Sequence, residues 1–367
     1  PYQFLPSHNG GHKGISIFYR FFSRHVHLTA ISTANNDLSL ADGYELLPVL
    51  PNGQYRYADV FLFFTIKKII KQKAITHLIL EHPYYGWLGI LLKLFCGVKL
   101  IVHSHNIESV RFKSLGKKWW RIMWWYEKLV SQHGNTCFFK TKEDMDYAVL
   151  NYKLKPENCA VLTYGIEIDS VPSTEEIASS KAYLRNKYAV SNEETIVLFN
   201  GLLSYAPNLI ALNVILNEIN PLLLLHPEFK YKLIICGKGL PDEYNQLKAF
   251  STKNIIYAGF VDDITLYYKG ADFMINPVIE GGGIKTKLVE SLAYDLQVIS
   301  TFSGAFGVNP EICDGRLILI KNNDWESFAT ALISTQKKPA NLHLFFNHFF
   351  WDNIAKNSVA MINRPNS

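Results

Sequence analysis

The sequence predicts an α/β protein made of two doubly wound, Rossmann-like domains. Three observations carry that expectation. Apolar, β-rich runs of strand length alternate with longer segments of helical spacing, the pattern of parallel sheets covered by helices on both faces. The alternation proceeds once, breaks at 165–174 where Gly, Asp, Pro, Ser and Thr cluster, and then restarts. The chain has 367 residues, more than one hydrophobic core usually serves.

In the first series, strands are expected at 26–32, 77–81, 99–103, 137–140 and 160–163, with helices at 15–24, 59–72, 87–95, 117–132 and 142–152. In the second, strands are expected at 195–200, 232–236, 255–257, 273–276, 297–301 and 317–320. Its helices are expected at 208–225, 242–251, 264–270, 285–294 and 324–335. The domains are therefore 1–165 and 166–340. The aromatic, helix-like tail at 341–367 has no strand to feed and is expected to cross back to the first domain. The chain opens at Pro1 without an initiator Met. A short leading segment, with a first strand ahead of Gly10, is expected to be missing.

Hydrophobic residues make up 48% of the chain and charged residues 19%, which excludes a disordered protein. The net charge of +5 suits an anionic ligand or a membrane surface but is too mild to announce a nucleic-acid partner, and none is expected. The scattered Cys96, Cys137, Cys159, Cys236 and Cys313 form no C-x-x-C pair and read as small buried hydrophobes in a reducing compartment. The nearest approach to an uncharged apolar span, 84–102, is broken by Lys93 and Lys99. No signal peptide is visible.

Ligands of open parallel sheets collect at the carboxyl ends of strands, so the loops there carry the weight. The first is Glu280-Gly281-Gly282-Gly283-Ile284-Lys285-Thr286-Lys287, running into Leu288-Val289-Glu290. A strand, a glycine-rich turn and a helix start offer free backbone N–H groups to a diphosphate. Lys285 adds positive charge, and Glu290 can accept hydrogen bonds from both hydroxyls of a ribose. The second is Gly10-Gly11-His12-Lys13-Gly14, a phosphate-contacting loop or a plain surface turn. The third is His103-Ser104-His105-Asn106-Ile107-Glu108, with Arg111 nearby. His103 and His105 lie on one side of a strand edge, and with Glu108 and Arg111 they can bind sugar hydroxyls or move protons. Zinc needs more ligands than this, and no Cys or third His stands nearby in the sequence.

Three further segments leave alternatives open. In Gly259-Phe260-Val261-Asp262-Asp263 a base can rest on backbone, while the aspartates are favoured as helix caps. Lys117-Lys118-Trp119-Trp120-Arg121-Ile122-Met123-Trp124-Trp125-Tyr126 reads as an interfacial membrane helix or as a packed helix with a wet edge. Asp144-Met145-Asp146 fits an Asp-x-Asp metal pattern, but it lies inside an expected helix just after Thr141, a capping context.

The whole chain resembles retaining glycosyltransferase family 4, of the GT-B fold, in which two Rossmann-like domains face each other across a cleft. The resemblance rests on Phe199-Asn200-Gly201 with Tyr205-Ala206-Pro207-Asn208, Cys236-Gly237-Lys238-Gly239, Gly259–Asp263, and 281–290 continuing into Ser291-Leu292-Ala293. It is looser at Gly10-Gly11, His105–Glu108 and Thr141-Lys142-Glu143-Asp144. It implies that Glu290 is the second Glu of the family's E-x7-E motif and holds the ribose. The first Glu falls on Gly282 and is absent, with Glu280 two residues early. The chain follows instead a Gly-x-Gly-Ile-Lys-x-Lys subgroup. The Arg and Lys that many members carry fall on Leu202 and Pro207, so Lys285, with Lys238, is the expected replacement.

By the same resemblance His105 matches a cleft His near the reacting sugar. The catalytic set is expected to be His105, Lys285 and Glu290. The donor side comprises Gly11, Gly201, Lys238, Val261, Gly283, Ile284, Lys285, Thr286 and Glu290, and the acceptor side His12, His103, Asn106, Glu108 and Arg111. No metal or cofactor is expected, because the nucleoside-diphosphate sugar is itself a substrate. The expected activity is retaining, metal-independent transfer of a sugar to a glycan or lipid-linked acceptor, in the cytoplasm or at the inner face of the membrane. A nucleotide-sugar epimerase or hydrolase on the same frame, and a non-catalytic nucleotide-sugar-binding protein, are the alternatives.

Overall fold

The computed structural model describes residues 2–7, 10–281, 283–337 and 339–364. The chain forms two compact units, Pro1–Gly165 with Phe349–Ser367, and Ile166–His348. In the first unit β1 (Thr29–Thr33) pairs with β2 (Glu45–Leu50) in a parallel ribbon. A four-stranded parallel sheet holds β3 (His77–Glu81), β4 (Lys99–Ser104), β5 (Thr136–Phe139) and β6 (Cys159–Val161) in that order. Leu100, Val102 and Phe139 on these strands are buried beneath Ile66, Leu92 and Val130 of the covering helices. A cavity of about 1110 Å³ lies between β1 and β3, with apolar walls that include Ile31, Ile66 and Leu78.

The second unit has six parallel strands: β7 (Thr195–Asn200), β8 (Tyr231–Cys236), β9 (Ile255–Gly259), β10 (Phe273–Asn276), β11 (Gln297–Thr301) and β12 (Leu317–Ile320). Their order is β12-β11-β10-β7-β8-β9. β10 and β11 are buried along their whole length, as helices on both faces require. The helix Ala206–Leu224 is apolar and long enough to cross a membrane by composition alone. It instead packs Ala211, Leu212, Ile215, Ile219 and Leu223 into this unit's core, each fully buried.

Several expectations need correction. Gly10–Gly14 is not a loop but the first turns of a helix, Gly10–Phe22, and no strand precedes it among the described residues. β2 was not expected because Pro48 interrupts its apolar run; a proline is tolerated there because β2 pairs on one side only. The helices Glu108–Ser114 and Thr174–Tyr188 were also missed. The second buries little beyond Ser180 and Leu184, so it shows no apolar stripe, although Ser173 and Glu176 form a capping box at its start. The helix expected at 242–251 is a 3-10 winding kinked at Asn245, Gln246 and Leu247, all at positive φ. Finally, the tail crosses back at Phe349 rather than at 341. The Asn341 amide donates to Asp314 (2.6 Å) in the second unit, whereas Trp351 is fully buried in the first against Phe18 and Tyr164.

Candidate functional site

The second unit's sheet changes direction between β7 and β10. The chain winds outward from β7 through β8 to β9, then returns to build β10, β11 and β12 on the other side. Loops at such a switch point turn to opposite faces and leave a crevice at the strand carboxyl ends. The loops here are Asn200-Gly201-Leu202 after β7 and 277–285 after β10, the latter leading into the helix Thr286–Ala293. Gly281 and Gly283 have φ of 91° and 72°, a left-handed backbone that favours glycine. Gly282 lies outside the described residues. No side chain caps the helix start at Lys285, so its first amides suit an anion. Gly237 lets the loop after β8 press onto the loop after β7: a Cβ there would lie 1.9 Å from the Gly201 carbonyl oxygen.

Lys287 ties the two switch-point loops together. Its Nζ donates to the Asn200 carbonyl (3.0 Å) and to Asn208 Oδ1 (3.1 Å) and sits 4.5 Å from the Phe199 ring centroid. Burial, then the Lys285 charge, pulls its pKa down to about 7. Lys285 Nζ donates to the carbonyls of Gly281 and Gly283, both at 2.8 Å, and burial lowers its pKa to about 8. Ammonium groups depressed in this way gain from a nearby anion. Glu290 is half-buried on the same helix. After burial itself, its charge helps raise the hydroxyl of Tyr268, which accepts from Asn200 Nδ2 (2.8 Å). Ile284, Thr286 and Val261 are half-buried nearby in the sequence order of these loops. The Lys238 ammonium lies 5.9 Å over Phe260. Asp263 caps the helix Ile264–Gly270 by accepting from the Thr265 amide (2.9 Å), as its capping context leads one to expect.

The first unit gathers imidazoles around a carboxylate at the ends of β3 and β4. Glu81 and His103 are register partners. Glu81 Oε2 lies 2.9 Å from His103 Nδ1 and 2.5 Å from His105 Nε2. His82, at φ 66°, stacks on His105 with ring centroids 4.3 Å apart. Burial, then the neighbouring His82 and His103, keeps His105 well below the usual imidazole range. Burial likewise lowers His103 to about 4. Burial alone would raise Glu81, but the two imidazoles outweigh it and hold the carboxyl ionised. The result is a buried anion with neutral rings around it.

The other acceptor-side residues divide by exposure. Glu108, 1% exposed, is turned inward, paired with Arg111 (2.6 Å) and His82 (3.4 Å). His103 is equally buried and stands behind Glu81. These two therefore position the site rather than present themselves to a ligand. Asn106 is half-buried and Arg111 exposed. His12 reaches the cluster through Tyr2, whose ring lies 5.5 Å from His12 and whose hydroxyl lies 2.9 Å from His82 Nε2. Gly11 is exposed on the first helical turn. A third imidazole does stand beside His103 and His105, contrary to the sequence reading. Glu81, His103 and His105 offer ligand atoms all within 4.8 Å of one another. Binding one cation through all three would break both bonds to Glu81. Asp144 and Asp146 stay helical: the Asp144 amide donates to Thr141 and Asp146 pairs with Lys142.

Residues 19–170 match the family model described as Glycosyltransferase Family 4, and residues 194–337 the one described as Glycosyl transferases group 1. The chain belongs to the GT-B glycosyltransferases. An uncharacterized 44.6 kDa protein in the cps region of Klebsiella pneumoniae is 25% identical over 261 residues, 68% of this chain. That match spans 63% of the relative's own length. A glycosyltransferase of Rickettsia africae superposes with a TM-score of 0.69 at 16% identity, covering 96% of this chain and 94% of that one. Anabaena HepE in complex with UDP gives 0.70 at 13% identity, covering 98% of both. At such identities the superpositions speak for the fold.

Three residues of this glycosyltransferase escaped the sequence reading: Glu81, His82 and Lys287. Glu81 and His82 sit at the end of a strand whose bounds were expected correctly, and the strand-end rule applied to them as it did to His103. Lys287 stands in the quoted glycine-rich motif, but only the helix phase shows that it points back under Asn200.

Proposed function

We propose that this glycosyltransferase moves a sugar from a nucleoside-diphosphate sugar to a glycan or lipid-linked acceptor in cell-surface polysaccharide synthesis. The reaction takes place in the cytoplasm, retains the anomeric configuration and uses no metal ion or resident cofactor. The observation that carries this reading is Lys287 bridging the switch point beside the glycine-rich helix start. A diphosphate at that point meets backbone amides and two ammonium groups whose charge burial has suppressed. As the glycosidic bond breaks, negative charge grows on the departing diphosphate, and these donors stabilise it there. Together they supply the positive charge that a divalent cation would otherwise bring. Glu290 accepts from the ribose hydroxyls. His105, neutral and oriented by Glu81, serves the acceptor side with Asn106, His12 and Arg111.

The donor class is supported by HepE, solved with UDP and with UDP-glucose. The polysaccharide destination is supported by the relative in the cps region. The test is thermal melting of the protein with UDP, GDP and ADP, because a ligand that binds the native state raises the melting temperature. One nucleotide is expected to do so. Lys285→Ala and Glu290→Ala are expected to lose that shift and to abolish transfer while staying folded. Absence of a shift with every nucleoside diphosphate, or wild-type transfer by either variant, would sink the assignment. Product configuration by NMR decides retention, and turnover that survives excess EDTA decides metal independence.

A further inference from the structure

The first unit carries an apolar, strongly basic face that the proposed chemistry does not use. Three of its helices lie side by side: Leu62–Gln72, Gly86–Cys96 and Trp120–His133. Phe63 meets Phe95 edge-on at 5.7 Å, joining the first to the second. Lys93 Nζ donates to the His133 carbonyl (2.7 Å), joining the second to the third. Gly86 lets the second and third approach closely, since a Cβ there would lie 2.0 Å from Val130. Large side chains stand out from all three. Phe61 is 74% exposed, Phe64 67%, Leu94 70%, Phe95 64%, Ile122 71% and Trp125 64%. Their spacing is helical on the outer faces: Phe61 and Phe64 are followed by exposed Lys68 and Lys71, and Ile122 and Trp125 by Leu129. Exposure of this many large apolar side chains on neighbouring helices marks an interaction surface.

The charge on this face identifies the partner. Residues 60–73, 86–97 and 110–133 contain eleven Lys and Arg and a single acidic residue, Glu127. Glu127 is 3% exposed and turned inward, accepting from the amides of Glu108 (2.7 Å) and Ser109 (2.8 Å) and from the Tyr152 hydroxyl. Within these three segments no acid faces solvent, and the rest of the chain is net acidic; at the margin Asp59 accepts from the Phe61 amide (3.0 Å) and Lys73 pairs with Glu45 (2.6 Å). A protein-binding surface would instead be depleted of Lys at its core. Aromatics with Lys stems beside them, such as Lys67 near Phe63 and Phe95 and Lys128 near Trp124 and Trp125, suit the boundary between lipid headgroups and acyl chains.

We propose that this face docks the first unit on an anionic lipid bilayer, with Phe61, Phe64, Leu94, Phe95, Ile122 and Trp125 in the interface. Lys68, Lys71, Lys117, Lys118 and Arg121 lie over the headgroups. The inference does not depend on the donor chemistry of the second unit.

The full chain is floated with vesicles of phosphatidylcholine alone and of phosphatidylcholine mixed with phosphatidylglycerol. Binding is expected to the mixed vesicles only and to weaken with salt. Each lysine removed from an anionic surface weakens binding roughly fivefold, so Lys117→Glu with Lys118→Glu is expected to lower binding more than twentyfold, roughly. Phe61→Ser with Phe64→Ser is expected to abolish flotation. Both double variants should keep the wild-type circular dichroism and nucleotide-induced melting shift. Lys117 and Lys118 are both exposed, so this pair still tests the proposal if the phenylalanine pair misfolds. Failure of the wild type to float overturns the proposal, as does undiminished flotation of the lysine variant. So does a self-association in sedimentation that these substitutions remove, because it would assign the face to a second copy of the chain.

Discussion

The two units place opposite kinds of charge at the ends of their strands. In the first, a buried carboxylate, Glu81, is surrounded by neutral imidazoles. In the second, two half-buried lysines stand beside a glycine-rich loop with their pKa values drawn down to about 7 and about 8. Burial opposes charge in both places, but the outcomes differ because the partners differ. Glu81 has two ring nitrogens aimed at one oxygen and stays ionised. Lys287 donates to a carbonyl and an amide oxygen and feels the Lys285 charge, while burial alone draws Lys285 down, so both protons are held weakly. The first arrangement is complete in itself and suits hydroxyl groups and proton movement. The second is balanced by an incoming anion. One fold class thus hosts two chemistries, set by which polar groups the strand ends bring together.

The most direct test of this contrast is Lys287→Met, which keeps the apolar stem and removes the charge. Truncating one partner of a buried charge pair costs about 2–5 kcal/mol, so nucleotide affinity should fall at least about thirtyfold. Calorimetric titration measures it, and unchanged affinity would mean that the lysine merely braces the Asn200 loop. Next is His105→Ala, where transfer should fall by about 10²–10⁴ as for other positioned acid–base groups. The nucleotide-induced melting shift should be intact, because that shift reports on the other unit. A loss of nucleotide binding here would break the division of roles.

The remaining effect is on pH, and it separates the units by sign. A diphosphate prefers protonated Lys287, so nucleotide binding should be strongest below pH 7 and weaken by up to about tenfold per pH unit above it. Stability of the first unit should respond on the acid side. His103 and His105 have folded pKa values below the unfolded value, so their contribution is full above pH 6.5 and is lost as pH falls towards 4. For His103 alone this is roughly 3 kcal/mol. The two lysines have mostly titrated before that window opens. Trp87, Trp119, Trp120, Trp124, Trp125 and Trp351 lie in the first unit and only Trp325 in the second, so tryptophan fluorescence follows the first unit. A fluorescence transition that did not move between pH 6.5 and 4 would contradict the neutral-imidazole description.

The sequence was most legible where structure is local and buried. β7, β10 and β11 have the expected bounds, because a parallel strand covered on both faces must be a continuous apolar run; the half-buried edge strands β3 and β12 have them too. Legibility failed where an element is stabilised by something other than its own pattern. β2 tolerates Pro48 because its other edge is unpaired, and Thr174–Tyr188 is held by its cap more than by an apolar stripe. The site divides in the same way. Gly283, Lys285 and Glu290 are readable as one motif. The meeting of Glu81 with His103 depends on the register of two strands, and the reach of Lys287 to Asn200 depends on a crossover through most of a sheet. Neither is encoded in local spacing.

The chain leaves the first unit at Gly165 and re-enters it at Phe349. The two crossings are neighbours: a Cβ on Gly165 would fall 2.4 Å from the Trp351 ring. Topologically, 166–348 is therefore an insert, a closed excursion that begins and ends at one place on its host. Domain insertion is tolerated where the two ends of the insert lie close together, since the host's chain path is then nearly unbroken. Both crossings meet at one tight point, where a side chain on Gly165 would collide with the buried Trp351 ring.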